Sequence, residues 1–172
     1  MTARYHAYYE SPIGLVEVGG TAEHVTSLHF VDARRAGARA HPLVREACRQ
    51  VRAYFEGEVR RFDLPLSPTG APFQVRVWRA LLEIPYGQAV SYGALARAVG
   101  NPRASRAVGA ANARNPIALV APCHRVVGAD GRLTGYGGGL WRKEWLLLHE
   151  GCKLRGRRVV PAPGLRWGDW IA

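Results

Sequence analysis

Ser91-Tyr92-Gly93-Ala94-Leu95-Ala96-Arg97-Ala98-Val99-Gly100-Asn101-Pro102-Arg103-Ala104-Ser105-Arg106-Ala107-Val108-Gly109-Ala110-Ala111-Asn112-Ala113 is the stretch that decides the fold of this chain. Ser91 has the side-chain oxygen that an N-cap needs, Leu95 and Val99 follow at helical spacing, and Gly100 is a stop. Asn101 and Pro102 then supply a cap and a first-turn proline for a second helix, expected over about 103–113. A short helix, a tight turn and a second helix in a basic segment form the helix-turn-helix pattern.

The second of these helices has an unusual composition. It carries Arg103 and Arg106, with Arg114 just beyond, and no acidic residue. Its other positions include Ala107, Gly109, Ala110, Ala111 and Ala113. Small side chains let a helix backbone approach another body closely, and arginines supply charge and reach. That combination suits a nucleic acid groove, with the narrow minor groove a natural partner. The charge distribution points the same way. Residues 1–68 hold nine arginines against eight acidic residues, whereas residues 69–172 hold fifteen Lys or Arg against five. A strongly basic half beside a balanced one implies a polyanionic partner.

The 172 residues, 48% hydrophobic and 22% charged, describe a globular protein of one or two small domains. No apolar run reaches the roughly 18 residues a membrane span requires, and the first residues do not read as a signal peptide. The expected location is therefore the cytoplasm. Cys48, Cys123 and Cys152 are an odd, widely spaced set, as free thiols in a reducing compartment would be.

Upstream, Tyr5–Tyr9, Leu15–Val18 and Val25–Phe30 are β-rich stretches punctuated by Ser11-Pro12-Ile13-Gly14 and Gly19-Gly20. An amphipathic helix is expected over Pro42–Glu56, and a short strand over Phe62–Leu66. The Pro- and Gly-rich segment Ser67–Pro72 reads as a linker. These features divide the chain into an N-terminal α/β scaffold domain, 1–68, and a mainly α C-terminal domain, 69–172. In the latter, Pro72 opens a helix through Phe73, Val77, Trp78 and Leu82. Trp141–Glu150 reads as the last helix, followed by a basic tail from Lys153.

Chemistry concentrates at Pro122-Cys123-His124-Arg125, between the apolar run 117–120 and Val126-Val127. An unperturbed thiol, with a pKa near ~8.5, holds little thiolate at neutral pH, so a reactive Cys123 needs a neighbouring base or cation. No arginine stands where a phosphatase loop needs one, that position being Ala129, and there is no Cys-x-x-Cys pair. In an extended segment His124 and Cys123 would face opposite ways, so a turn or a bridging water is required. Glu150 and Glu144 are the downstream carboxylates available to orient the histidine. A cysteine hydrolase pairing Cys123 with His149 is the rival catalyst, but it leaves the basic helix unexplained.

Residues 117–127, Ile-Ala-Leu-Val-Ala-Pro-Cys-His-Arg-Val-Val, resemble the active-site signature of the O6-alkylguanine-DNA alkyltransferase family. Companion motifs stand in order: Ile84-Pro85-Tyr86-Gly87, Ser91-Tyr92, Arg106-Ala107-Val108-Gly109, Asn115-Pro116, Gly135-Tyr136-Gly137-Gly138-Gly139 and Lys143-Glu144-Trp145-Leu146-Leu147. The resemblance is strong over about 72–151 and general before that. It implies a ribonuclease-H-like α/β N-terminal domain and a C-terminal domain with a winged-helix-related helix-turn-helix. It also implies single-turnover transfer of an alkyl group from O6-alkylguanine, and from O4-alkylthymine, in double-stranded DNA to Cys123. In that scheme His124 activates the thiol through water, Glu150 orients His124, and Asn115 ties the recognition helix to the active-site segment. Tyr92 serves the flipped nucleotide and its leaving guanine, and Arg106 fills the vacated stack. Arg103, Ala107, Gly109, Ala110, Arg114 and Ser91 contact DNA, while Tyr136, Gly137, Gly138 and Val126 wall the base pocket. Gly137 stands where some relatives carry serine. The zinc-binding cysteines of some relatives are missing, so neither a metal nor a cofactor is expected. The chain is expected to be a monomer, with cooperative assembly on DNA left open. A non-catalytic lesion-binding relative is the alternative within this resemblance, and such proteins lack the cysteine.

Overall fold

The computed structural model describes residues 4–161. The described residues form two compact units, one of residues 4–69 with 116–120, the other of residues 70–115 with 121–161. The C-terminal domain expected over 69–172 is continuous in sequence. The chain instead leaves the second unit after Asn115, adds Pro116–Val120 to the first, and returns at Ala121.

The first unit is an antiparallel sheet in the order β1 (Tyr5–Ser11), β2 (Gly14–Gly20), β3 (Val25–Phe30), with α1 (Pro42–Phe55) packed against it. The β1–β2 hairpin turns at Gly14, whose φ of 119° suits only glycine. Val44, Ala47, Val51 and Tyr54 of α1 meet Val16, Val18, Val25 and Leu28 in a solvent-free core. α1 starts at Pro42, as the pattern requires, with His41 Nδ1 accepting from the Leu43 amide at 3.3 Å.

The free edge of β3 is covered by two short segments rather than by a strand. Leu66 bridges Val25 and Ile117 bridges Leu28, both in parallel sense. The strand expected over Phe62–Leu66 is therefore reduced to one bridge. Gln50 holds this stretch instead, donating to Asp63 O at 2.9 Å and accepting from Asp63 N at 2.8 Å. The Leu28 amide donates to Pro116 O and Ala118 N returns to Leu28 O, which is why 116–120 belongs here. Covering an edge removes unpaired backbone groups that would otherwise recruit another chain.

The second unit is mainly helical. α2 (Pro72–Leu82) packs against α3 (Tyr92–Ala98) and α4 (Ser105–Ala113), and α5 (Leu140–His149) closes the unit. Trp78, 3% exposed, anchors α2 to α4 by donating Nε1–H to Ala111 O at 2.9 Å. Ser91 Oγ accepts the Ala94 amide at 3.0 Å, the cap read from sequence, and α3 ends at Gly100 with φ 81°. α4 differs from expectation at its start. Asn101–Ala104 forms a turn, with Ala104 N bonded to Asn101 O, so Arg103 lies before the helix. The two-residue strands β4 (Val90–Ser91) and β5 (Val126–Val127) pair in parallel. The first part of the basic tail is a hairpin, β6 (Lys153–Arg155) and β7 (Arg158–Val160). Its Val159 joins Val127, Leu133, Leu147 and Cys152 in one apolar cluster. The tail residues beyond Pro161, including Trp167 and Trp170, lie outside the described residues. Among the described residues no helix is long and apolar enough to cross a membrane.

Candidate active site and nucleic-acid interface

Cys123–Arg125 is a single turn of 3-10 helix, not the strand considered from sequence. Two tight turns lead into it. Val120 N bonds Ala118 O, and Cys123 N bonds Ala121 O, both at 2.8 Å. Leu119, the middle residue of the first turn, takes φ 68°, the only positive φ outside glycine among the described residues. A branched, buried leucine there stores backbone strain that the surrounding contacts must hold. Asn115 closes the neck of this excursion, its Nδ2 donating to Ala121 O at 2.7 Å.

The turn places His124 and Arg125 on one carboxylate. His124 Nε2 lies 2.7 Å from Glu150 Oε1. Arg125 donates Nε to Oε2 at 2.8 Å and Nη2 to Oε1 at 2.9 Å, a two-pronged pair. A further Arg125 nitrogen donates to Ile84 O, and the Gly87 amide points at Glu150 Oε2 from 3.3 Å. Gly87 has to be glycine, since its φ is 77° and a Cβ would sit 2.8 Å from Glu150 O. His124 and the Glu150 side chain have no solvent exposure.

Titration directions follow from these contacts. Burial penalises the Glu150 carboxylate, but His124 and Arg125 outweigh it and hold the group far below the usual carboxylate range. Burial pushes His124 down, with Glu150 opposing, so the imidazole is neutral. An ionised carboxylate can only accept, so it takes Nε2–H, and the lone pair is left on Nδ1. That Nδ1 is buried without a hydrogen-bond partner. It is a base with an unused lone pair beside a cysteine.

Cys123 is 5% exposed. Burial raises its thiol, and an Asn115 hydrogen bond, the Lys143 charge and the Cys123 and His124 amides work against that rise. Cys48 and Cys152 are pushed to about 11 by burial. Around Cys123 stand two phenols. Tyr92, first residue of α3, receives the Thr134 hydroxyl at 3.3 Å, and burial raises its pKa. Tyr136 is raised well above its ordinary value by burial, and its hydroxyl is buried without a partner. Asn112 Nδ2 donates to Cys123 O at 3.3 Å, and its buried Oδ1 is unpartnered.

Of the residues expected in the site, Cys123, His124, Glu150, Asn115, Tyr92 and Tyr136 belong to one buried neighbourhood. Gly137 is exposed with open space around it, and Gly138 offers its carbonyl to Arg142 at 2.6 Å. Val126 is fully buried in β5, and its carbonyl accepts from Lys143. On the helical face Arg103, Arg106, Ala107, Ala110 and Arg114 are exposed, while Gly109 is half-buried with the Tyr92 ring beneath it. One expectation is corrected. Ser91 does not present its hydroxyl for DNA, because it is 5% exposed and spends that hydroxyl capping α3. His149 stacks on Trp145 at 4.9 Å, and the histidine joined to the carboxylate is His124.

Arg125, Asn112 and Lys143 also belong to this neighbourhood, though none is among the site residues expected from sequence. A signal existed for Lys143, which shares helical spacing with Leu146 and Leu147 on the buried stripe of α5. A charged residue on a core stripe is expensive unless it has partners. Among the described residues no three His, Cys, Asp or Glu side chains gather as metal ligands.

Two family models match the chain. The one described as 6-O-methylguanine DNA methyltransferase, ribonuclease-like domain, covers residues 4–68. The one described as 6-O-methylguanine DNA methyltransferase, DNA binding domain, covers residues 72–152. A methylated-DNA–protein-cysteine methyltransferase of Methanosarcina acetivorans is 49% identical over 153 residues, 86% of this chain and 98% of that protein. One from Mycolicibacterium paratuberculosis is 51% identical over 158 residues, 89% of this chain and 92% of its own length. Among solved structures, Mycobacterium tuberculosis O6-methylguanine methyltransferase superposes with a TM-score of 0.78 at 44% identity, covering 92% of this chain and 95% of that one. The same organism's OGT in complex with DNA also gives 0.78, at 47% identity, covering 85% and 92%.

Proposed function

Because this chain belongs to the O6-methylguanine DNA methyltransferase family, we propose that Cys123 is its alkyl acceptor and that the buried His124–Glu150–Arg125 group is what activates the thiol. The chain repairs DNA by transferring an alkyl group from the damaged base to a cysteine of its own, and DNA is its partner. The observation that carries the residue assignment is the unused Nδ1 lone pair of a neutral His124 whose other nitrogen is pinned to Glu150 at 2.7 Å.

The lesion is O6-alkylguanine, with O4-alkylthymine a second substrate. O6 of guanine lies inside the duplex, so the nucleotide must be turned out, at a cost of a few kcal/mol of unstacking. The exposed Arg106 of α4 enters the gap, and Arg103 and Arg114 hold phosphates without reading sequence. Ala107 and Ala110, exposed on α4, let its backbone come close to the groove. The flipped base enters a pocket bounded by Tyr92, Val126, Tyr136 and the Gly137-Gly138 backbone.

The thiol proton passes to His124 Nδ1 through a bridging water. Sulfur attacks the alkyl carbon in line with O6. The S–C bond forms as the C–O6 bond breaks, and the electron pair goes to the guanine. Tyr92 donates a proton to the base and recovers one from the protonated His124 through solvent, so the net change exchanges the thiol hydrogen for the alkyl group. The thioether has no leaving group that water can displace, so each molecule acts once. The protein works as a cytosolic monomer.

Intact mass after incubation with excess O6-benzylguanine tests this, with Cys123→Ala alongside. The expected result is one benzyl adduct per chain, absent from the variant. An adduct that persists in Cys123→Ala refutes the assignment, as does its absence in wild type with both benzylguanine and O6-methylguanine duplex.

A further inference from the structure

Lys143 is buried without any solvent exposure and has no carboxylate partner among the described residues. Its Nζ donates to Val126 O at 2.5 Å, Thr134 O at 2.8 Å and Gly135 O at 3.5 Å. The first carbonyl belongs to β5, directly after the Cys123 turn, and the other two open the glycine-rich loop. The same ammonium lies 5.9 Å from the centre of the Tyr92 ring. One side chain of α5 therefore joins the catalytic turn, the pocket loop and the phenol.

A neutral donor could satisfy carbonyls, so the choice of a cation needs its own reason. The charges facing Cys123 supply it. Arg125 and Glu150 cancel in their two-pronged pair, and His124 is neutral. Tyr92 and Tyr136 are neutral phenols, and Arg142 is half-exposed with one guanidinium nitrogen on Gly138 O. Asn112 and Asn115 contribute dipoles only. When the thiol proton moves to His124 the thiolate gains a mobile counter-charge on the imidazole, and Lys143 is the fixed cation the site holds beside it. The interaction between Lys143 and Cys123 is attractive in that state, raising the lysine and lowering the thiol.

We infer that Lys143 is a positioning residue with two functions, clamping the Thr134–Gly135 loop to β5 and providing the fixed buried cation against which Cys123 ionises. This rests on Cys123 being the acceptor. Burial lowers Lys143 to about 8, so its charge is present at neutral pH and fades in alkali. The thiol and the lysine consequently titrate as a coupled pair.

The test follows the pH dependence of single-turnover alkylation by O6-benzylguanine in wild type, Lys143→Met and Lys143→Arg, with the adduct located by peptide mass. Lys143→Met is expected to move the alkaline rise in rate upward by about one pH unit, the size of shift a nearby charge produces, and to slow transfer about tenfold at pH 7. Lys143→Arg is expected to bring the profile back toward wild type. A loss in Lys143→Met that is equal at every pH leaves only the clamp and overturns the electrostatic role. A failed Cys123 assignment shows itself separately, as a wild-type adduct on another residue. Should Lys143→Met not fold, wild type alone decides the question. The Lys143 side-chain NMR titration is compared before and after benzylation, because coupling is reciprocal. Its pKa is expected to be lower once the thiolate can no longer form. An unchanged titration refutes the inference.

Discussion

Replacing Glu150 by glutamine removes one charge and nothing else in outline, and the site makes that costly in two separable ways. The carboxylate accepts from Arg125 at 2.8 and 2.9 Å and binds His124 Nε2 at 2.7 Å. Glutamine has one acceptor oxygen and one donor amide, so it cannot satisfy both partners. If its oxygen stays with Arg125, the amide faces His124 Nε2 and requires a lone pair there. The imidazole proton then moves to Nδ1, the nitrogen that must accept the thiol proton. Placing a positioned base in the wrong tautomer forfeits its contribution to proton transfer, typically ~10²–10⁴-fold, so transfer is expected to fall at least about a hundredfold. The second cost is stability. Arg125 keeps its charge, 6% exposed, with its carboxylate gone, and breaking a buried pair from one side costs about 3–5 kcal/mol. For a chain of this size that corresponds to a fall in Tm of about 6–20 °C. Stopped-time mass spectrometry with O6-benzylguanine reads the first effect and thermal unfolding the second. A variant that melts early but alkylates at the wild-type rate would refute the tautomer argument while leaving the ion pair intact.

Three further outcomes are expected. Arg106→Ala should impair repair of O6-methylguanine in duplex DNA far more than reaction with the free benzylated base, and equal losses would count against its role in the vacated stack. Trp78→Phe should lower stability by about 1–3 kcal/mol, since it deletes the hydrogen bond to Ala111 O and leaves a small void between α2 and α4; an unchanged denaturation midpoint would contradict this. His124 and Glu150 both have depressed folded-state values, so the unfolded chain binds more protons at each. Their stability is fully present above the unfolded histidine value near ~6.5. It is lost first through His124 as pH falls below that, and then through Glu150 below the ordinary carboxylate range near ~4. Urea midpoints measured from pH 8 to 4 should decline, and His124→Gln should flatten the upper part of that decline.

The features legible in the sequence were those with local causes. Pro42 and Pro72 start α1 and α2 because a proline costs nothing at a first-turn position, and Ser91 caps α3 with its own hydroxyl. The antiparallel strands β1–β3 follow from alternation punctuated by glycine turns. The ordered motifs from Ile84 to Leu147 identified the family without coordinates, because a signature of that length is itself linear. A local signal misleads at the start of α4. Asn101-Pro102 reads as a helix start, yet its backbone closes a turn and α4 begins at Ser105.

Tertiary structure alone decided what depends on separation along the chain. Arg125 and Glu150 are 25 residues apart, and no periodicity announces that they share one buried carboxylate. Pro116–Val120 reads as an apolar run leading to Cys123, and only the free edge of β3 shows why it pairs there. The turn at Cys123–Arg125, which puts His124 onto Glu150, replaces an extended segment whose alternation would have separated the two functions. Lys143 was visible as a letter in a motif, but its purpose emerges only when three carbonyls from two segments converge on its ammonium. The physical reason is common to all four. Caps and turns are set by energies within a few residues, whereas the state of a buried charge is set by whichever distant groups the fold brings to it.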